Sequence, residues 1–504
     1  MNIIEMDREK KLGIILGYFN IIINTVINFI YVPVLLYYVG KNEYGIYQLI
    51  GSLIAYVSLM DFGLNSAIIT FYTKYKSNND INRTENLLAI GLRLYCIITI
   101  LIILVGVIIY CILPILLRET LSFDELIIAE KMFILLLLNI IVTITTLLFS
   151  AVINANEKFI FFRGLTTVQL IAQPICVIAI LNFYNHVIVV AVVQTILNIV
   201  LATIRIYYVL FILRIKIVFH GYDLKIIKPL LNLSFTTFIV AIVDQIFFKT
   251  NQIIIGIISG PGEVAVYSIA TLIYMGYMQL SSVISGVFVP RMTMLISLRE
   301  NIGKITHLFI RVGNYQFIVL SFVLSGFVLF GKEFIIIWAG IDFLEAYYIT
   351  LIILFPFTID LIQNIGLSIM QAKNNYGFRA RIYVCIGLLN LILAYILCPI
   401  YAGLGCAIAT GLSMLIGNGI IMNIYYHKIL KINMISFWIK ISYLAKIIIF
   451  YTIVIYVINT FICYENTIFY LIRITVWAIG FFILLYFKCL NSQERDYILK
   501  ILHS

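Results

Sequence analysis

Residues 39–75 read VGKNEYGIYQLIGSLIAYVSLMDFGLNSAIITFYTKY, and about 220 positions later the chain returns to the same theme as SGPGEVAVYSIATLIYMGYMQL (residues 259–280). Gly40, Glu43 and Tyr47 are answered by Gly260, Glu263 and Tyr267. In each copy a short polar connection containing glycine opens a long apolar helix, so an apolar helical hairpin is used twice. A hairpin repeated within one membrane chain points to two similar halves, the plan of many transporters.

The repeat continues beyond the hairpin. Phe123 and Glu125 match Phe343 and Glu345 at an offset of 220, and NANEKFIFFR (154–163) resembles QAKNNYGFRA (371–380) at 217. Ile206, Tyr207 and Tyr208 match Ile424, Tyr425 and Tyr426 at 218. Single matches are cheap in an apolar alphabet; four sets in order at a nearly constant offset are not. Six spans in each half make the repeats parallel, about an axis along the membrane normal. The expected division is a first six-helix lobe over 1–216, a second over 217–430, and two extra membrane helices with a cytoplasmic tail over 431–504.

The chain is 63% hydrophobic and 11% charged with a mean hydropathy of +1.09, more apolar surface than a soluble fold of 504 residues can bury. Alternating ten-residue strands are absent, and about fourteen spans long enough for a bilayer follow one another from residues 13–39 to residues 468–487. The expected fold is therefore all-α and polytopic. An even count puts both termini on one side. With that side cytoplasmic, 25 of the 34 Lys and Arg fall in inner loops and tails, and 4 in outer loops (Lys41, Arg118, Lys131, Lys332). This satisfies the positive-inside rule, and residues 1–11, which lack a cleavable apolar region, are expected as a cytoplasmic tail. Every outer loop is short, the longest over residues 114–131.

The net charge of +11 comes from short clusters between spans rather than from one basic face, so it reports orientation and not nucleic-acid binding. The eight cysteines lie mostly in apolar runs without CxxC or metal-ligand spacing and are expected to be small buried apolar residues. No GxxxxGK[ST] loop, no paired histidines and no acidic pair at a helix end are present, which leaves catalysis, a metal and a cofactor without support.

Charged side chains that remain within spans carry more information, because each costs about 2.5 to 3.5 kcal/mol at the bilayer centre on insertion scales. Asp61, Asp244, Lys249 and Asp360 lie deepest; Arg93 and Arg205 stand about two turns from a cytoplasmic end, and Lys446 and Arg473 are placed to snorkel. Gln245, Lys249 and Gln252 form one stripe on the seventh span, either a cavity wall meeting an anion or half of a buried ion pair. Asn20, Asn24 and Asn28 form another on the first span, suited to sugar hydroxyls or to interhelical hydrogen bonds. Asp61 has two readings, a site for a coupling cation or proton and a partner for Arg93, and Asp360 carries the same ambiguity. Most aromatics are packing or interfacial belts, with Tyr274 and Tyr277 placed to stack on sugar rings.

At GKNEYGIYQLIGSL (40–53), SLMDFGLNSAI (58–68), ANEKF (155–159), GPGEVAVYSIA (260–270) and GKEFIIIWAG (331–340), the chain resembles the Wzx-type flippases. These carry O-antigen or capsule repeat units and belong to the multidrug/oligosaccharidyl-lipid/polysaccharide exporter superfamily. The resemblance spans essentially the whole chain and rests on the order and spacing of loose motifs. It implies two MATE-like lobes around a cationic cavity, in a bacterial plasma membrane. Alternating access there carries an undecaprenyl-pyrophosphate-linked oligosaccharide to the outer leaflet, for lipopolysaccharide O-antigen, capsule or exopolysaccharide synthesis. On that reading Lys249, Arg93 and Arg205 attract the pyrophosphate, Asn20, Asn24, Asn28, Gln245 and Gln252 contact sugar, and Asp61, Asp360 and Asp244 are sites for ion coupling. Related lipid flippases often carry arginines on the first two spans, and this chain has none there. The expected partners are the lipid-linked oligosaccharide, membrane lipid and other polysaccharide-assembly proteins, with no nucleic acid, and the protein is expected to act as a monomer. The alternatives are a cation-coupled drug antiporter of the same superfamily and a membrane glycan polymerase or acyltransferase.

Overall fold

A computed structural model describes residues 3–373, 376–461 and 467–489. Its α-helices are α1 (Ile3–Ser58), α2 (Leu64–Ser77), α3 (Ile81–Leu117), α4 (Phe123–Ala155), α5 (Phe159–Leu181), α6 (Ile188–Tyr207), α7 (Leu224–Ile258), α8 (Pro261–Ser297), α9 (Ile302–Trp338), α10 (Glu345–Leu361), α11 (Gly366–Ala372), α12 (Tyr376–Met414), α13 (Met422–Lys428), α14 (Met434–Phe461) and α15 (Thr467–Leu484). The described residues contain no strand. Hydrocarbon offers backbone groups no partner, so a chain this apolar satisfies them within helices.

Eleven described segments are long and apolar enough to cross a bilayer. Two of them, residues 15–77 and 377–428, would reach about 95 and 78 Å as straight helices against a hydrocarbon core of about 30 Å. Each turns back at a residue with non-helical torsions: Gly40 (φ 75°, ψ 177°) in α1 and Ala402 (φ 46°, ψ −126°) in α12. Each therefore supplies two crossings, and with the 35-residue α7 the described residues supply the fourteen spans that the hydropathy predicts. Nothing lies within 4 Å of where a Cβ on Gly40 would sit, so it is the positive φ and not crowding that calls for glycine there.

The repeat is visible in the element boundaries. Residues 41–77 and α8 are the same length 220 positions apart, and α3 and α9, both 37 residues, are 221 apart. Their N-caps match as well: Asp80 accepts from the Arg83 amide and Asn301 from the Gly303 amide. α4 ends at Ala155 and α11 at Ala372, while α5 begins at Phe159 and α12 at Tyr376, both at 217. At that offset the ring pair Phe161–Tyr208 (centroids 3.7 Å, planes 13° apart) returns as Phe378–Tyr425 (4.0 Å, 12°), so Tyr208 is equivalent to Tyr425 and the sequence match at 218 is one residue out of register here.

The copies differ in where a helix is interrupted. In the first half the break follows α1, where Phe62 (φ 50°) and Gly63 (φ 72°) are both left-handed; Ser281, equivalent to Asp61, lies inside the unbroken α8. In the second half it falls at residues 362–365 between α10 and α11, while α4 runs unbroken.

The chain divides into two compact units, residues 1–268 with 391–406, and residues 269–390 with 407–504. In the first, α7 packs along α1 and α2. Gly256 lies against the Leu49 side chain, and a Cβ on Gly63 would stand 2.8 Å from the Ser234 carbonyl oxygen. Gly63→Ala meets both a left-handed backbone and a rigid neighbour, and is expected to cost about 2 to 4 kcal/mol, read as a fall in melting temperature in detergent. In the second unit α14 and α15 dock on α9: Phe437 contacts Phe309 (5.2 Å), and Trp477 stacks on Phe322 (4.6 Å) over Gly326.

Four of the six cysteines whose burial is described depart from the expectation, Cys176 being half-buried. Cys96, Cys111 and Cys385 lie on exposed faces. Lipid is as apolar as a helix interface, so nothing drives a small apolar side chain inward.

Candidate functional site

The polar stripe of α7 changes character along its length. Gln252 is 1% exposed and its amide is used at both ends, accepting from Ser52 Oγ and donating to Ser268 Oγ (3.0 Å). Beside it Asn251 donates to the Tyr267 hydroxyl (2.9 Å), and Thr250 is hydrogen-bonded to Tyr56. The last turns of α7 are thereby fastened to residues 41–58 of α1 and the start of α8, and Gln252 is part of that fastening.

Gln245 and Lys249, further back on the same stripe, are only half-buried. Lys249 makes no hydrogen bond or ion pair among the described residues, and Gln245 Oε1 is buried without a donor. By helical rise Lys249 lies about 14 Å from the Ile258 end of α7, near the middle of a 30 Å hydrocarbon layer. Asp244 is exposed.

The asparagine stripe of α1 divides in the same way. Asn20 is buried and committed to α5, donating to the Arg163 carbonyl (3.1 Å) and accepting from Thr167 Oγ1 (2.6 Å). Asn28 donates to Asn24 Oδ1 (3.1 Å), and both are half-buried. Tyr31 continues the stripe with a buried hydroxyl that has no hydrogen-bond partner among the described residues. Its spacing of eleven from Asn20 was the signal, hidden among many tyrosines.

Arg93 lies with its guanidinium 3.4 Å from the centre of the Phe219 ring and 5.5 Å from that of Tyr222. It therefore helps hold the connection before α7, which is also tied to α3 where Asn86 accepts from the His220 amide and donates to the Gly221 carbonyl (3.0 Å each). The pairing of Arg93 with Asp61 is not made. Tyr95 instead donates to Asp61 Oδ1 (3.0 Å); two residues on a helix are about 200° apart, so facing Asp61 with Tyr95 turns Arg93 away. Asp61 also accepts from the Gly63 and Asn65 amides at the start of α2, which makes it a cap for the restarted helix. Arg205 is half-buried, near the Phe162 ring (5.9 Å), with its Nε buried and unpartnered.

In the second unit Asp360 stands on the last turn of α10, immediately before the break. No hydrogen bond reaches its carboxylate among the described residues, and the charge that acts on it is Arg379 of α12, itself hydrogen-bonded to the buried Tyr426. Arg379 is not among the candidates named from the sequence, where QAKNNYGFRA stands out only as a repeat; it lies in the first turn of α12, which begins at Tyr376. Tyr274 and Tyr277 do not present stacking faces: Tyr277 is hydrogen-bonded to Thr358 (2.5 Å) and Tyr274 packs on Phe357 (5.5 Å). Arg473 reaches Glu333 (3.7 Å), while Lys446 is exposed.

Among the groups left unspent on the helices of the first unit are thus two cations, Lys249 and Arg205, and the hydrogen-bonding atoms of Gln245 and Tyr31. Such groups attract an anion or a hydroxyl-rich molecule.

A family model described as polysaccharide biosynthesis protein matches residues 13–296. No curated protein sequence matches the chain. Among solved structures the chain is similar to the lipid II flippase MurJ in an inward closed conformation, with a TM-score of 0.74 and 18% identity over 94% of this chain and 97% of that one. It is also similar to an inward-facing multidrug resistance MATE family transporter of the MOP superfamily (0.64, 14%, 84% and 96%). A MOP superfamily transporter from Pyrococcus furiosus matches at 0.55 and 14% identity, over 86% and 96%. At these identities the likeness establishes a shared fold.

Proposed function

We propose, from the premise that this chain belongs to the polysaccharide biosynthesis protein family, that it is a flippase for a lipid-linked oligosaccharide. The protein is a multi-pass membrane protein with a MurJ/MATE-like fold. Its cargo is an undecaprenyl-pyrophosphate-linked repeat unit, moved from the inner to the outer leaflet of a bacterial plasma membrane by alternating access between a lobe over 1–216 and a lobe over 217–430. Both termini face the cytoplasm, as the distribution of Lys and Arg favours.

The observation that carries this reading is Lys249. A cation held near mid-membrane without a partner is costly in a resting protein, and it becomes favourable when an anionic headgroup arrives. A sugar headgroup cannot cross hydrocarbon unaided, because each hydroxyl would lose its hydrogen bonds to water. Unspent polar atoms such as Gln245 Oε1 and the Tyr31 hydroxyl offer replacements along the way. A cationic drug gains nothing from Lys249, which disfavours the antiporter reading.

The test is reconstitution in vesicles with an undecaprenyl-pyrophosphate oligosaccharide, following its exposure to an external glycosidase. The protein is expected to accelerate exposure. Uptake of cationic dyes with no movement of the lipid-linked glycan would overturn the reading in favour of the antiporter.

We assign ion coupling to Asp360 rather than to Asp61. Asp61 already has three donors as a cap, whereas the Asp360 carboxylate, beside a helix break, has no hydrogen-bond donor among the described residues. Asp360→Asn is expected to reduce gradient-driven transport about tenfold or more while leaving exchange without a gradient, and Asp61→Asn to stay within about threefold of the parent. The reverse order of effects would move the coupling site to Asp61.

A further inference from the structure

The turn that halves α12 carries two cysteines that no expectation brought together. Cys398 and Cys406 flank Ala402, whose φ of 46° is unusual for a residue with a side chain, and both thiols are buried, 1% and 0% exposed. The arms of the turn run back on each other in backbone contact, since a Cβ on Gly405 would stand 2.6 Å from the Leu397 carbonyl carbon and 3.0 Å from the Cys398 nitrogen. Cys398 Sγ is 3.7 Å from Ser259 Oγ, and the two cysteine side chains are hydrogen-bonded to each other.

The position of the turn sets its redox surroundings. From residue 382 to 427 the chain has no Lys, Arg, Asp or Glu, while Arg379, Arg381, Lys428 and Lys431 lie at the opposite ends of the two arms. On the orientation proposed above, which this inference rests on, the turn is at the outer surface, where thiols meet oxidants rather than the cytosolic reducing pool.

We infer that Cys398 and Cys406 form an intramolecular disulfide that clasps the outer turn of α12. The step is a thiol–disulfide exchange with a disulfide-bearing oxidant of the outer compartment, either an exchange protein or a small disulfide. One cysteine thiolate attacks the donor disulfide, giving a mixed disulfide and releasing one donor sulfur as a thiol. The second cysteine thiolate then attacks the mixed bond; the Cys398–Cys406 bond forms and the other donor sulfur leaves. The donor gains the electron pair and the two protons that the cysteines lose. Exchange takes place before the turn is packed, and burial afterwards shields the bond from reductants. The bond closes a loop of nine residues and holds an alanine in a conformation that otherwise favours glycine.

The test is differential alkylation of the full-length protein, isolated from membranes and denatured with and without reductant. Without reductant all but two of the eight cysteines are expected to alkylate, and digestion is expected to yield one linked peptide pair containing Cys398 and Cys406, lighter by two hydrogens than the reduced pair. Cys398→Ser is expected to release Cys406 for alkylation. Full alkylation of the parent without reductant, or a link to any other cysteine, overturns the inference. A reporter separates this from a failure of orientation: Tyr401, 54% exposed in the turn, is replaced by cysteine in a chain with Ser at 398 and 406. Its labelling by an impermeant thiol reagent on intact cells, together with free thiols in the parent, sinks the disulfide and keeps the orientation. Labelling only after permeabilisation sinks the orientation and the disulfide with it.

Discussion

Lys249→Ala is expected to reduce glycan export about 10- to 150-fold and, at the same time, to raise the melting temperature of the protein. The first effect follows from a hydrogen bond to a charged group being worth about 1.5 to 3 kcal/mol, with each 1.4 kcal/mol a factor of ten. The second follows from Lys249 having no partner among the described residues while half-buried on a membrane helix. Removing a charge from such a place relieves part of the roughly 2.5 to 3.5 kcal/mol that holding it there costs. Opposite signs in activity and stability mark a residue retained for its task rather than for packing. Lys249→Arg is expected to keep most of the export and Lys249→Gln to lose it, because charge and not length is what the anion meets. Export assayed against surface glycan, with thermal unfolding in detergent, checks both. Unchanged export with a lowered melting temperature would make Lys249 a packing residue and remove the support for the proposed cargo.

The other large effect belongs to Gly45, in the first copy of the repeated hairpin. A Cβ there would collide with the Pro261 carbonyl, standing 3.1 Å from the Pro261 Cα. The obstacle is backbone, and it is the first residue of α8, where the proline ring fixes φ. Neither side can yield by turning a rotamer. Gly45→Ala is therefore expected to cost about 2 to 4 kcal/mol and to deplete the folded fraction recovered from membranes. Gly51→Ala, on the same arm of α1, meets nothing within 4 Å and should gain about 0.5 to 1 kcal/mol from helix propensity. The pair separates packing from propensity by size-exclusion recovery and melting temperature. Equal melting temperatures for the two variants would show that the helices do not approach at Gly45.

Much of the architecture was readable because it depends on quantities that sequence states directly. Span length, the glycines at 40 and 260 and the near-constant offset between halves are local or periodic, and all reappear in the element boundaries. The break after Asp61 had a signal in Gly63. The one after Asp360 had none within residues 362–365, where Ile, Gln, Asn and Ile stand in place of any glycine or proline. The site was less readable, since a helical stripe specifies a face but not what the face meets. Asn20 and Asn24 look alike by spacing, yet one is spent on α5 and the other on its own helix. Gln252 and Gln245 share a stripe, and only the latter keeps an oxygen free. Arg379 and the Cys398–Cys406 contact depend on chain reversals that no periodicity records.

The interruptions that distinguish the two halves have a consequence for the ancestry of the chain. If both halves descend from one duplicated segment, each has since acquired a break of its own, in the second span of one and the fourth span of the other. The halves are no longer interchangeable: two tandem copies of the first would carry two Asp61-type caps and no counterpart of Asp360, and two of the second the converse. Duplication let labour divide, and the division is recorded in which rod was allowed to fracture.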